Sequence, residues 1–169
     1  MKAEFLYKKI ASPVGEITLV ASQQGLAAIL WENDDAGRVR LGPMAQDEGH
    51  PILCEVQQQL GEYFSGTRTV FSVPLDFRGT DFQKCVWNAL LSIPFGETRS
   101  YADIARQIGN PKAVRAVGAA NGKNPISIIA PCHRVIGANG KLTGFAGGLA
   151  TKSILLQLEG GSGEFELGI

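Results

Sequence analysis

The chain has 169 residues and a formal net charge of zero, with 44% hydrophobic and 19% charged residues. These values are ordinary for a soluble globular protein with one domain or two small ones. No apolar run approaches the ~20 residues that span a membrane, and the N-terminus lacks the apolar stretch of a signal peptide, so we expect a cytoplasmic protein without membrane association.

The first strands of the chain are predicted from a hairpin pattern. Residues 16–21 alternate between apolar and polar side chains, residues 25–31 form a second apolar run, and a short polar turn joins them. The next segment, residues 33–51, is polar and acidic and contains glycine and proline, which favours a loop or a short irregular helix.

A helix and a further strand complete the first predicted domain. Residues 52–64 carry apolar side chains at helical spacing. Residues 70–77 are predicted to form a strand, and Pro74 favours a sheet edge because proline cannot donate a backbone hydrogen bond. We therefore expect a small α/β domain over residues 1–77 that supports the rest of the chain.

Three helices in the second half are predicted from their starts. Thr80 and Ser100 each begin a capping-box pattern, and the second of these helices should end at Gly109. Asn110 is expected to cap a third helix that has Pro111 at its first position. Two short helices joined by a Gly-Asn-Pro turn favour a helix-turn-helix, and an ordinary helical hairpin is the alternative.

Charge is distributed unevenly along the chain. Residues 98–152 contain eight lysines or arginines and one acid, Asp103, which gives this segment a net charge of +7 and leaves −7 for the remainder. Such a segment favours a polyanion as partner, and a merely solvated basic face is the alternative. The third helix is expected to carry Lys112 and Arg115 among small residues that would let it approach a groove, which favours DNA.

The rest of the second domain contains a buried segment, a glycine-rich loop and a closing helix. Residues 126–130 are predicted to be a buried strand or extended segment, residues 137–148 are rich in glycine, and residues 151–159 have helical spacing. The expected apolar face of this helix consists of Ile154, Leu155 and Leu158. The second domain is thus predicted over residues 78–160, followed by a flexible tail at 161–169.

The chain has three cysteines, an odd number without close pairs, which argues against disulfides and fits a reducing compartment. Cys132 is followed by His133, and a nearby imidazole can accept the thiol proton and hold a nucleophilic thiolate. The alternative is an inert buried cysteine, which Cys54 and Cys85 fit because both lie on predicted helices beside core positions. The spacing of cysteines and histidines provides no zinc ligand set, so we expect no metal and no cofactor.

Five short motifs lie at and around Cys132 in the second half of the chain. The set consists of Pro-Cys-His-Arg-Val at 131–135, Asn-Pro-Ile at 124–126, Arg-Ala-Val-Gly-Ala-Ala-Asn-Gly at 115–122, Ser-Tyr at 100–101 and Thr-Gly-Phe-Ala-Gly-Gly at 143–148. Together these motifs resemble the O6-alkylguanine-DNA alkyltransferases, and the chain is most similar to the small bacterial members. The resemblance implies an α/β (α+β) fold class, with a ribonuclease-H-like N-terminal domain and a mainly helical, winged-helix-like C-terminal domain.

The resemblance further implies a suicide DNA-repair enzyme that acts once. Cys132 would accept the methyl or other alkyl group of O6-alkylguanine, with O4-alkylthymine as a further candidate substrate. His133 would relay the thiol proton through water to Glu159. Tyr101 would donate a proton or hydrogen bond to guanine N3 as the base leaves. Without the resemblance, Glu159 would be a surface acid and Tyr101 a packing residue.

Contacts with DNA are also implied by the resemblance. Arg115 would enter the base stack of double-stranded DNA in place of the flipped nucleotide, because O6 is inaccessible inside the duplex. Its helix would lie in the minor groove with little sequence preference. The implied DNA-contacting set is Lys112, Arg115, Ala116, Ala120, Asn121 and Gly122. The implied base pocket consists of Val135, Phe145, Ala146 and Asn124, of which the last braces a turn. We expect a monomer, and the sequence leaves clustering on DNA open.

Two other functions stay open at this point. A non-reactive sensor of alkylated DNA would share the fold, but relatives of that type replace the cysteine, and Cys132 is intact. A cysteine hydrolase that used Cys132 and His133 would usually take its histidine from a distant part of the sequence. Phe145 and Ala146 depart from the tyrosine of many relatives and the serine of the mammalian type, which bears on the range of alkyl groups and not on the reaction.

Overall fold

The computed structural model describes residues 3–140 and 144–160. The chain forms two compact units, one ending at Arg78 and the other beginning at Gly79. The predicted tail at 161–169 and Thr143 of the glycine-rich motif lie outside the described residues. In the described ranges, none of the helices has the length and apolar character needed to cross a membrane.

The first unit is built on a four-stranded sheet in the order β3-β2-β1-β4. Its strands are β1 (Phe5–Ile10), β2 (Ile17–Ala21), β3 (Leu26–Trp31) and β4 (Met44–Gln46). Strand β2 is antiparallel to both β1 and β3, whereas β4 pairs parallel to β1. The predicted hairpin is therefore confirmed as β2 and β3.

Helix α1 (Pro51–Phe64) packs against β2 and confirms the helix predicted from periodicity. Its buried face consists of Leu53, Val56, Gln59, Leu60 and Tyr63. On the sheet, Ile17 and Leu19 are fully buried, and Val20 is buried in a separate cluster with Phe5. Because successive side chains of a strand point to opposite faces, β2 is buried on both of its faces.

Two expectations for the first unit are wrong. Both concern which strands pair, and this pairing depends on partners that are distant in the sequence. Strand β4 lies in the segment predicted as a loop or helix, and its three residues are exposed, so they carry no periodic signal. The strand predicted over 70–77 is reduced to one bridge between Leu75 and Leu26. The Leu26 N–H donates to the Pro74 carbonyl and the Asp76 N–H to the Leu26 carbonyl, both at 2.8 Å, whereas proline has no N–H to extend the ladder. Strand β1 was not predicted from the sequence at all.

In the second unit, α2 (Asp81–Leu90) begins at the predicted capping box. The hydroxyl of Thr80 accepts from the Gln83 N–H at 3.1 Å, and the Gln83 side-chain carbonyl accepts from the Thr80 N–H at 3.0 Å. Its buried residues are Val86, Trp87, Ala89 and Leu90. The Trp87 indole N–H donates to the carbonyl of Ala120 at 2.8 Å, which ties α2 to a later helix.

The next helix, α3 (Tyr101–Gln107), also begins at a predicted capping box. The Ser100 hydroxyl accepts from the Asp103 N–H at 3.0 Å, and the Asp103 carboxylate accepts from the Ser100 N–H at 2.9 Å. The helix ends just before Gly109, whose φ of +81° is the left-handed conformation that glycine adopts readily. The predicted bounds of α3 are therefore confirmed at both ends.

Helix α4 (Val114–Gly122) begins later than predicted, and Asn110 does not cap it. Ala113 occupies the cap position without a side-chain hydrogen bond. The Asn110 carbonyl instead accepts from the Ala113 N–H at 3.0 Å, which closes a tight turn around Pro111 and Lys112. Lys112 therefore lies in the turn between α3 and α4, and the two helices pack against each other.

Helix α5 (Leu149–Leu158) confirms the last predicted helix but not its apolar face. Ile154 is 46% exposed, whereas Leu155 and Leu156 are buried. The unit also contains a two-stranded parallel sheet formed by β5 (Arg99–Ser100) and β6 (Val135–Ile136). A sheet-based unit followed by a mainly helical unit confirms the predicted mixed α/β fold class.

Candidate active site

A buried turn leads into the cysteine. Residues 126–130 are buried, as predicted, but they form a turn and not a strand, because Ala130 N–H donates back to Ile126 O at 3.0 Å. Asn124 braces this turn: its amide donates to Ala130 O at 2.8 Å, and its carbonyl accepts from the Ile126 N–H at 3.1 Å. Ile128 has a φ of +74°, a strained conformation for a β-branched residue that is concentrated at functional sites.

Cys132 opens a short 3-10 helix, Cys132–Arg134, that follows the turn. The Cys132 N–H donates to Ala130 O at 2.8 Å and the Arg134 N–H to Pro131 O at 2.9 Å, which fix the bend. The cysteine is 4% exposed and His133 is fully buried. The bend replaces the extended backbone that would send neighbouring side chains to opposite sides.

His133, Glu159 and Arg134 form a buried hydrogen-bonded network. Nε2 of His133 lies 2.7 Å from Oε2 of Glu159. The Arg134 guanidinium holds both oxygens of the same carboxylate, Nε at 2.8 Å from Oε1 and Nη2 at 3.0 Å from Oε2, and donates to the Ile93 carbonyl at 2.6 Å. Glu159 is therefore held in place at the C-terminal cap of α5 and is 3% exposed.

The protonation states of this network follow from its contacts. Burial opposes ionisation of Glu159, but hydrogen bonds from His133 and Arg134 outweigh it and lower its pKa to about 2. Burial lowers the pKa of His133, the Glu159 contact opposes this shift, and the charges of Arg134 and Lys152 reinforce it. A neutral imidazole beside an ionised carboxylate carries its proton on Nε2 and donates it to Glu159.

The other imidazole nitrogen, Nδ1, is then an acceptor. It is buried and has no hydrogen-bond partner among the described residues. Because Cys132 is the preceding residue, this buried lone pair is a candidate acceptor for the thiol proton. The arrangement suits removal of the thiol proton by His133, directly or through a bridging water, with Glu159 stabilising the imidazolium that forms.

Lys152 is a second buried cation beside the cysteine. It lies on α5, is 0% exposed, and donates from Nζ to the Val135 carbonyl at 2.7 Å. Burial lowers the pKa of Lys152 to about 8, and the negative charge of the Cys132 thiolate opposes that shift. Sequence reasoning assigned no role to this residue.

Tyr101 is brought near the cysteine segment by the small sheet. It directly follows β5, whose Ser100 pairs with Ile136 of β6. Its ring also lies over α4, because a Cβ built on Gly118 would be 3.9 Å from Tyr101 Cδ1. Tyr101 is thus positioned between the strand that contains Val135 and helix α4.

The residues predicted to contact DNA divide by exposure. Lys112, Arg115, Ala116 and Gly122 are exposed, and three of them lie on α4. Ala120 and Asn121 are buried, with 3% and 5% exposure. The amide oxygen of Asn121 has no hydrogen-bond partner among the described residues. The exposed set therefore consists of two cations, Lys112 in the turn and Arg115 on α4, and of two residues with little or no side chain, Ala116 and Gly122.

The remaining predicted pocket residues lie on different segments. Val135 is fully buried in β6, and its N–H donates to Cys132 O. Phe145 and Ala146 are partly exposed and precede α5 in a turn closed by the Gly148 N–H donating to Phe145 O at 2.9 Å.

Cys54 and Cys85 are exposed, which contradicts their interpretation as buried inert cysteines. Both lie on helices, as predicted, but on the exposed face of each helix and not on its buried apolar face. Within residues 3–140 and 144–160, no group of three or more His, Cys, Asp or Glu side chains is close enough to hold a metal ion.

Sequence reasoning missed Arg134 and Lys152, although one signal was present. The buried face of α5 is Lys152, Leu155, Leu156 and Glu159, which is the i, i+3, i+4, i+7 spacing of a helix stripe. A lysine and a glutamate at the two ends of an apolar stripe indicate buried charges. The predicted stripe of Ile154, Leu155 and Leu158 included neither residue, and Glu159 entered the predicted site only through the family resemblance.

Comparison with known proteins assigns both units to one family. A family model described as "6-O-methylguanine DNA methyltransferase, ribonuclease-like domain" matches residues 5–77. A second, described as "6-O-methylguanine DNA methyltransferase, DNA binding domain", matches residues 81–161. Together they cover most of the chain.

Individual relatives agree with these matches. The chain is 52% identical over 155 residues to a methylated-DNA–protein-cysteine methyltransferase of Methanosarcina acetivorans, covering 91% of this chain and 97% of that one. A Mycobacterium bovis protein of the same name is 52% identical, with coverage of 90% and 91%. The crystal structure of Mycobacterium tuberculosis OGT in complex with DNA is 52% identical, with a TM-score of 0.83 and coverage of 91% and 92%.

Proposed function

The chain belongs to the 6-O-methylguanine DNA methyltransferase family, and we propose that it repairs alkylated DNA by moving an alkyl group from O6 of guanine to Sγ of Cys132. The observation that carries this assignment to a residue is the buried network beside Cys132, in which Arg134 and His133 share the Glu159 carboxylate. Such a network supports a nucleophile that is activated by a histidine.

In the proposed reaction, His133 receives the thiol proton through its Nδ1, with Glu159 orienting the ring. The thiolate then attacks the alkyl carbon, so that an S–C bond forms while the C–O6 bond breaks and its electrons pass into the purine. The product is a thioether without an easy leaving group, so each molecule reacts once and is spent. No cofactor or metal ion takes part.

The departing purine needs a proton donor, and we assign this role to Tyr101, whose hydroxyl would donate to guanine N3. The position of Tyr101 between β6 and α4 supports the assignment, because a base beside Val135 would lie within reach of both. We assign the pocket to the backbone groups of Val135 and Ala146 and the ring of Phe145. Asn124 would brace the turn beneath it through its two hydrogen bonds.

Double-stranded DNA is the proposed partner, with α4 in the minor groove and Arg115 replacing the flipped nucleotide in the stack. The exposure of Lys112, Arg115, Ala116 and Gly122 supports this placement, because Lys112 is free to approach the phosphates, Arg115 is free to enter the stack, and the small residues permit close approach. Ala120 and Asn121 would support this surface from below. We propose little sequence preference and a cytoplasmic monomer, with O4-alkylthymine as a second candidate substrate.

The two domains would divide the work. Residues 78–160 would carry DNA binding and transfer, since every residue assigned above lies in this range, and residues 1–77 would support them. The separation of the two family models at residues 77 and 81 agrees with this division.

Peptide mass spectrometry after incubation with a duplex that contains one O6-methylguanine tests the proposal. One methyl group should appear on Cys132, in proportion to the DNA supplied up to one equivalent. A Cys54→Ser/Cys85→Ser double variant is the matched control and should react fully, because both thiols are exposed and lie outside the network. Binding without any methyl transfer would favour the sensor, and multiple turnover on an ester would favour the hydrolase.

A further inference from the structure

Two reactive side chains of the first unit meet at one backbone carbonyl. Cys54 lies near the start of α1, and its thiol donates to the carbonyl of Glu48 at 3.3 Å. Lys8 lies on β1, and its ammonium group donates to the same oxygen at 3.0 Å. The two side chains therefore share an acceptor, and Nζ of Lys8 lies 4.0 Å from Sγ of Cys54. Their proximity is set by the packing of α1 against β1 and not by a chance encounter on the surface.

The two partners differ in their contact with solvent. The side chain of Lys8 is 14% exposed, so most of its stem is covered by the unit. Cys54 is exposed, so a small solute in water can reach it. Cys85 is exposed as well, but its thiol has no hydrogen-bond partner among the described residues. Lys84 precedes Cys85 on α2 but does not face it, because adjacent residues of a helix point in different directions.

The carboxylate of Glu48 completes the cluster. Its Oε2 lies 3.7 Å from Nζ of Lys8, and the Glu48 side chain is 57% exposed, so solvent screens this ion pair. The cation beside Cys54 favours the thiolate, which is the form that reacts with oxidants. The carboxylate can in turn accept a proton that the lysine nitrogen releases. The cluster therefore supplies a nucleophilic sulfur, an amine and a base, all within the first unit.

We propose that Cys54 and Lys8 form an oxidation-dependent covalent cross-link, in which a sulfur–nitrogen bond joins α1 to β1. Hydrogen peroxide is the oxidant. The Cys54 sulfur first attacks a peroxide oxygen, so that an S–O bond forms, the O–O bond breaks, and the departing hydroxide takes the thiol proton and leaves as water. The product is a sulfenic acid, which condenses with nitrogen. The neutral amine of Lys8 attacks its sulfur, so that the S–N bond forms while the S–O bond breaks, and hydroxide leaves with an amine proton as a second water.

The cross-link has defined consequences for the first unit. One peroxide is consumed, two waters are released, and the protein loses two hydrogen atoms. A dithiol reverses the change, because it cleaves the S–N bond, restores thiol and amine, and is itself oxidised to a disulfide. The bond joins residues 46 positions apart, which lowers the entropy of the unfolded chain. Sulfur bound to nitrogen is also protected from irreversible oxidation to the sulfinic acid.

Peptide mass spectrometry of the full chain after treatment with hydrogen peroxide tests the proposal. One joined peptide pair should appear, linked through Lys8 and Cys54 and lighter by two hydrogen atoms than its separate peptides. Dithiothreitol added before digestion should remove this pair and restore the free Cys54 thiol. Cys85 is the internal control and should form no bond to a lysine, since its thiol has no amine beside it.

A Lys8→Arg variant separates the charge of the lysine from its nucleophilic nitrogen. Arginine keeps a cation beside Cys54, but its guanidinium stays protonated and does not attack sulfur. The joined peptide pair should therefore be lost, and dimedone, which traps sulfenic acids, should label Cys54 more strongly than in the unsubstituted protein. Lys84→Arg, which makes the same exchange at an exposed lysine of α2, is the matched control and should change neither result.

Two results on the unsubstituted protein would overturn the proposal, whether or not the variant folds. The first is oxidation of Cys54 to a sulfenic acid, a sulfinic acid or a disulfide without any joined lysine peptide. The second is equal linkage of Cys54 to Lys8 and to its exposed neighbour Lys9, which would mean that the bond forms by random collision. No readout involves Cys132 or DNA, so failure of the cross-link is distinct from failure of the proposed alkyl transfer.

Discussion

The two units differ most in what they bury. The first unit buries mainly apolar side chains of the sheet and α1, and its buried arginine, Arg38, pairs with Asp34 at 2.6 Å. The second unit buries four titratable or charged side chains around one cysteine. They are His133, Arg134, Lys152 and Glu159. The first unit is organised by packing, whereas the second keeps charges that packing alone would exclude.

This difference shows that the second unit contains buried groups that suit a reaction more than they stabilise the fold. Buried ion pairs seldom stabilise a fold relative to well-packed apolar residues, because desolvation offsets the attraction between the charges. Removing one partner is costly, however, since the other charge is left buried and uncompensated. Substitutions in the two units should therefore separate effects on folding from effects on reaction.

The largest effect is expected for Glu159→Gln. The change removes the charge that compensates Arg134 and orients His133, so the transfer rate should fall by roughly 10- to 100-fold. The free energy of unfolding should also fall by about 3–5 kcal/mol. Single-turnover kinetics on methylated duplex and chemical denaturation measure the two effects, and DNA affinity should stay nearly constant.

Asp34→Asn is the matched control in the first unit, because it also breaks a buried arginine pair. We expect it to lower stability while the transfer rate of the folded protein is unchanged. Equal rate losses in both variants would break the contrast between a packing unit and a reacting unit.

A smaller effect is expected on acidification. Because the pKa values of Glu159 and His133 are lowered in the fold, the free energy of unfolding should fall as pH falls. Glu159 has a pKa of about 2 in the fold against its ordinary 4.5, so its stabilisation is complete above pH 4.5 and is lost as pH falls toward 2. The difference between these two pKa values corresponds to about 3 kcal/mol in the free energy of unfolding. His133, whose pKa is also lowered, adds a loss below its ordinary 6.5, because the unfolded chain then binds a proton that the fold resists.

Hydrogen exchange of α5 amides as a function of pH measures this loss in the second unit. In Glu159→Gln the part of the loss between pH 4.5 and 2 should disappear. Persistence of that part in the variant would mean that other carboxylates govern the acid stability of the unit.

The smallest effect is expected for Arg115→Ala. If the Arg115 guanidinium replaces a stacked base, the substitution should raise the activation free energy of duplex repair by about 1–3 kcal/mol. Reaction with free O6-benzylguanine should be nearly unaffected, because no base has to be extruded. Arg40→Ala, which removes an exposed arginine of the first unit, is the control and should alter neither reaction. Equal losses of Arg115→Ala on duplex and free base would exclude a role in base extrusion.

Local signals in the sequence predicted elements that local hydrogen bonds determine. The capping boxes at Thr80 and Ser100, and Gly109 after α3, each satisfy backbone groups within a few residues, so they could be predicted without knowledge of the fold. The pairing of β4 and the bridge at Leu75 depend on distant strands, so the sequence carried no signal for β4 and predicted a full strand where only the Leu75 bridge forms.

The candidate site divides along the same line. The sequence by itself determined the Cys132–His133 pair, the basic second half and the helix that ends at Glu159, because composition, adjacency and helical spacing are properties of the chain. Only the tertiary structure decided that Arg134 binds the Glu159 carboxylate and that Lys152 lies buried with its ammonium group on the Val135 carbonyl. The physical reason is that burial changes the energy of a charge, and burial is created by the packing of α5 against the short helix.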